Sequence, residues 1–191
     1  MATPMTRPLR RNAMNEQGAL YDLLANVVEA FNERFPGTGL SLERAAAPSS
    51  TRLVALTGST TITRATHEGR VLSMTGTGSA FTQTLPAATG SGDRYLFVVG
   101  AVNTSNHIIT TVGNDTLKGQ IITCSTGDTP DLAQPWTAGA SDEVITLNGT
   151  TTGGQTVGDW VEVIDMAADV WLVRGMTRSS GSEATPFSSA A

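Results

Sequence analysis

Hydrophobic positions follow two periods along this chain. In residues 14–35, MNEQGALYDLLANVVEAFNERF, Leu20, Leu24, Val27 and Phe31 recur at spacings of 4, 3 and 4. That is the seam of an amphipathic helix. Leu23, Val28 and Phe35 widen the stripe, Asn15 is placed to cap its start, and Pro36-Gly37 ends it. Two readings of this helix stand. It lies on its own β-domain, or it pairs with copies of itself in a short parallel bundle with Leu20, Leu24, Val27 and Phe31 as a trimer seam.

After residue 52 the period drops to two. Phe81, Gln83 and Leu85 alternate with Thr82 and Thr84, as in a half-buried strand. Pro86 stops the ladder because it has no N–H, and Gly90 and Gly92 permit a reversal at positive φ. Tyr95 to Val99 is apolar at every position, which predicts a central strand covered on both faces, by a second sheet or a sister subunit. Other strands are predicted at Leu53–Thr57, Thr60–Arg64, Val71–Met74, Ile108–Val112, Gln120–Thr123 and Val144–Leu147. Trp160 to Arg174 reads as a hairpin turning at Asp165–Asp169, with Trp160 and Trp171 as core or interface anchors. Asn148-Gly149 and Gly153-Gly154 are turn pairs, and Gly113–Gly119 reads as a turn or short loop. No fixed internal period is present, so a solenoid or propeller is not expected.

The expected fold is mainly β: an antiparallel β-sandwich or barrel-like domain preceded by one short N-terminal helix. Residues 1–13 form a basic arm, 14–35 the helix, 36–52 a Gly/Pro-rich linker, 53–178 the β-domain and 179–191 a polar tail. Phe187 is the tail's one strong anchor; the tail is either disordered or laid across a partner.

Composition narrows the function. Of 191 residues only 15% are charged, against roughly 25% in an average domain. Thr, Ser and Gly take their place. Arg7, Arg10 and Arg11 stand in the first eleven positions without an acid, leaving nine basic against seventeen acidic residues over the rest. An acidic body is unsuited to nucleic acid, which needs a basic face to displace counterions. The basic arm suits an acidic partner. Cys124 is the single cysteine, so no disulfide framework is expected. The sequence has no run approaching the ~20 apolar residues of a membrane helix. It also lacks a signal-type apolar segment, so synthesis in a cytoplasm and no membrane partner are expected.

Candidate chemistry is sparse. His67 and His107 are the only histidines and lie far apart in the sequence, which gives no metal-ligand spacing. No GxSxG elbow and no GxxxxGK[ST] loop is present. Asp142, Glu143, Asp159, Glu162, Asp165 and Asp169 are the carboxylates to weigh for glycoside hydrolysis, but turn and edge positions account for them. No catalytic, cofactor-binding or metal-binding residue is assigned, and the chain is not read as an enzyme.

Several segments resemble a β-module of tailed-phage virion proteins. They are Thr60 to Arg70 (TTITRATHEGR), Thr84 to Tyr95 (TLPAATGSGDRY) with Phe97-Val98-Val99, and Ile145 to Gly154 (ITLNGTTTGG). Gly158 to Glu162, Trp171 to Gly175 and Glu183 to Phe187 are similar too. The resemblance covers most of residues 53–188 and excludes the helix and linker. It implies a structural protein that decorates or cements a capsid, or forms a fibre on the virion, and proteins of this kind are typically trimeric. The expectation is a homotrimeric capsid decoration protein on the outer head surface, with the major capsid protein as partner and Arg7, Arg10 and Arg11 on an acidic capsid patch. The alternative is a head or tail fibre component binding host glycans through Trp136 or Tyr95.

Overall fold

The structure is a computed structural model that describes residues 52–102, 104–126, 133–180 and 182–190, and six helical residues between 23 and 30. The chain divides into two compact units, Met1–Ser49 and Ser50–Ala191. In the first unit, Leu23 and Val27 are helical and exposed, at 58% and 59% of their surface. Leu20, Leu24 and Phe31 of the expected seam lie outside the described residues, as do Arg7, Arg10 and Arg11.

The second unit is mainly β, as expected. Its strands are β1 (Leu53–Leu56), β2 (Thr60–Thr61), β3 (Val71–Met74), β4 (Phe81–Thr84), β5 (Arg94–Val99) and β6 (His107–Thr110). They continue with β7 (Thr116–Ser125), β8 (Ala133–Thr137), β9 (Val144–Leu147), β10 (Trp160–Ala167), β11 (Val170–Ser179) and β12 (Phe187–Ser188). Seven form one sheet in the order β1-β3-β5-β10-β11-β7-β8, and five form another in the order β12-β9-β6-β4-β2. Leu72, Phe97, Ile121, Val163 and Trp171 of the first sheet share one buried cluster with Phe81, Ile109, Ile145 and Leu147 of the second. Alternating residues thus close a sandwich, each buried large side chain contributing about 1.5–3 kcal/mol.

The pairing is mixed where an antiparallel sandwich was expected. The first six strands alternate between the two sheets, and within each sheet they run parallel. This unit therefore begins as a short two-layer winding. Leu53 lies opposite Val71 and Val71 opposite Leu96, so successive coils differ in length and leave no period to detect in the sequence. Two other expectations change. Thr116 to Gly119 is not loop but the start of β7, paired with β11. Thr60–Arg64 is a strand only at Thr60–Thr61, and Arg64–His67 is a helical turn.

The C-terminal segment belongs to this unit and is neither free nor reserved for a partner. Phe187 is 5% exposed, and β12 pairs antiparallel with β9. Phe187→Ala is expected to cost about 2–3 kcal/mol, at the low end for a buried aromatic because the chain end can partly collapse. Urea unfolding at pH 7 measures it; a change below about 0.5 kcal/mol would mean the segment is not docked in solution.

Candidate interaction surface

The two faces of the seven-stranded sheet differ. Inward positions such as Tyr95, Phe97, Val161 and Val163 are fully buried. Cross-strand register brings the outward positions into rows. One row runs Ala55, Ser73, Val98, Trp160, Met176, Ile122, Pro135, each opposite the next. Every strand of the sheet contributes, and six of the seven side chains are apolar. Met176 is 49% and Ile122 37% exposed, and Val98 and Trp160 are half-buried. The next row runs Leu53, Val71, Leu96, Glu162, Arg174, Gln120, Thr137. Arg174 forms an ion pair with Glu162 there. Leu96 and Val98 are half-buried on this face, and of the two covers expected for it, no second sheet of this unit supplies one.

Two hollows flank Trp160 on this surface. One, of about 430 Å³, is lined by Leu96, Val98, Gly158, Trp160, Glu162 and Arg174. The other, of about 590 Å³, lies at the end of β7 and β11 and includes Cys124, Thr126, Asp159, Met176 and Arg178. Asp159 is buried, which raises its carboxyl above the ordinary value. The backbone N–H groups of Arg178 (2.9 Å) and Thr156 (3.3 Å), both donated to one carboxylate oxygen, work against that rise. Its bonds tie the loop before β10 to β11 and leave it a bracing role.

The other polar candidates are also occupied locally. His67 Nδ1 lies 3.0 Å from the donating N–H of Thr63 and 2.7 Å from the Thr66 hydroxyl. His107 is buried beside the Phe81 ring at 4.4 Å, and burial lowers its pKa. Asp142 accepts the N–H of Gly139, and Asp169 holds the hairpin turn at φ 60°. Asp165 and Asp115 are bound to the loop after β4. Asp115 accepts the N–H of Ala88 at 2.7 Å and the indole N–H of Trp171 at 3.3 Å. Among the described residues, no three His, Cys, Asp or Glu side chains gather as a metal site would need.

Of the two aromatics picked out for sugar binding, Tyr95 offers no face to one, and Trp136 is half-buried. Tyr95 has no exposed surface, and its phenol is pushed up to about 12 by burial and then by Asp93 and Glu68. Trp136 packs against the core. Trp160 is the indole on the open face, and Trp171 is the one in the core. Met176 and Ile122 escaped the sequence reading because only register makes them neighbours of Trp160. Comparison of the chain with protein-family models, curated proteins and solved structures finds no match.

Proposed function

We propose that this chain is a structural protein of a tailed-phage virion: a capsid decoration (cement) protein that sits on the outer head surface as a homotrimer. The observation that carries the reading is the apolar row crossing all seven strands, a surface suited to contact with another protein. The braced sandwich behind it supplies a rigid backing, and the resemblance of residues 53–188 to a phage virion module points to the same class. The mechanism is mechanical. Each copy adds buried interface between neighbouring capsid subunits, and joining three copies raises the effective concentration of every contact. Arg7, Arg10 and Arg11 add charge attraction to an acidic capsid patch.

Heads assembled without this chain test the proposal. Added purified protein should bind them and raise the temperature at which they release DNA. No binding and no gain in heat resistance would reject it, and retention on host polysaccharide instead would favour a glycan-binding fibre.

The trimer has its own test. Leu24→Asp or Val27→Asp should shift the mass from about three copies to one in light scattering, because a charge in a helix seam is left unpaired on burial. An unchanged mass would mean that the helix does not hold the copies together.

A further inference from the structure

We infer that the outward face of the seven-stranded sheet is the docking face, and that it takes an acidic protein surface with an apolar centre, on a different protein and not on another copy of this chain. The inference rests on the decoration reading and names the surface through which it would work.

Charge selects the partner. Four cations point outward from this sheet, Arg94, Lys118, Arg174 and Arg178, against the outward carboxylate of Glu162 and that of Asp159, which lines the hollow beside Arg178. Glu162 is paired with Arg174, and within the described residues no ion pair neutralises Arg94, Lys118 or Arg178. The chain as a whole carries −5, so this face is opposite in sign to the molecule that bears it. Two copies meeting through this face would set cations against cations, which opposes association. An acidic surface meets the cations favourably and leaves Trp160, Met176 and Ile122 to bury against its apolar centre.

Size sets the strength. Seven strands at about 4.8 Å spacing and the two outward rows that cross them, at about 6.6 Å, make a patch of roughly 450 Å². That is below the ~800 Å² per partner of a standard stable interface. One face therefore binds weakly, and firm attachment needs several faces held together, as in a trimer.

The probe is the head assembled without this chain, titrated with full-length protein. Met176→Glu and Ile122→Glu should each weaken binding at least about 30-fold, and Arg178→Glu about tenfold, by setting carboxylates against an acidic partner. All three side chains point outward, so the melting temperature should stay within a few degrees of the parent. Raising salt from 50 to 500 mM should weaken the parent's binding about tenfold. Cys124, on the outward side of β7 beside the row, reports contact directly. Its alkylation by a maleimide should slow at least about tenfold on the head.

Equal binding by the parent and the glutamate variants, with Cys124 labelled equally fast free and bound, would overturn the docking face and leave the decoration reading standing. No binding by the parent would overturn both. A fall in the free chain's mass on Met176→Glu would make the face a contact between copies and overturn the partner assigned here.

Discussion

Asp165→Ala should cost the β-unit about 3 kcal/mol, because it strips the shared acceptor from a charge-assisted network. Asp165 is 3% exposed. Its oxygens accept the backbone N–H groups of Thr89 (2.9 Å), Gly90 (2.6 Å) and Ser91 (3.1 Å) and the hydroxyls of Thr89 (3.0 Å) and Ser91 (2.8 Å). The carboxylate thereby fastens the loop after β4 to β10. Without it those donors lose their shared acceptor; Thr89, Gly90 and Ser91 are exposed, so water replaces part of what is lost.

The same bonds predict an acid-sensitive stability. Burial works against the charge on Asp165, but the Ser91 hydroxyl and the N–H groups of Thr89, Gly90 and Ser91 outweigh it and hold the carboxyl down to about 2. An unfolded Asp titrates near ~3.9. The folded value is the lower one, so the contribution is complete above about pH 4 and is lost as pH falls through about 2. Urea unfolding of the parent and of Asp165→Asn should differ most at pH 7, narrow as pH falls below about 4, and converge only below about pH 2. A difference below about 1 kcal/mol at pH 7 would show that the carboxylate does not hold the loop.

Gly119→Ala should be the most damaging single substitution at a glycine, costing about 4 kcal/mol or more. Gly119 has φ +129°, and a Cβ there would sit 2.0 Å from the carbonyl oxygen of Val173. That oxygen is backbone in the strand directly paired with β7, so it cannot swing aside. Strain at Gly119 adds to the clash, and relieving either separates β7 from β11, the longest pairing in the unit. Gly113→Ala is the control. It also has positive φ, at +62°, but nothing lies within 4 Å of its Cβ, so it should cost only about 1 kcal/mol. Cooperative thermal melts by circular dichroism would separate the two; equal melting temperatures would sink the argument.

Much of the β-unit was legible one element at a time. Phe81, Gln83 and Leu85 are buried in alternation as read, and β3 and β9 have the bounds expected of Val71–Met74 and Val144–Leu147. Gly90 and Gly92 both sit at φ +77° in the reversal predicted for them. β8 was missed because Pro135 argues against a strand, and an edge position tolerates it. β12 was missed because two residues carry no period. The candidate surface was legible only in part. Leu96 and Val98 signalled a second apolar face, but Met176 and Ile122 stood in the sequence as single apolar residues among polar neighbours.

The sequence by itself determined most of the strand segments, where glycine must turn the chain, and that residues 14–35 carry a helical stripe. These are properties of a few consecutive residues, set by side-chain period and backbone sterics. Tertiary structure decided that six strands wind in parallel between two sheets, that Asp165 closes on Thr89 across 76 positions, and that Trp160, Met176 and Ile122 line up in one row. Loop closure cost rises only slowly with length, so no local pattern names a strand's partner. Register then decides which outward side chains meet, and it exists only once the strands have paired.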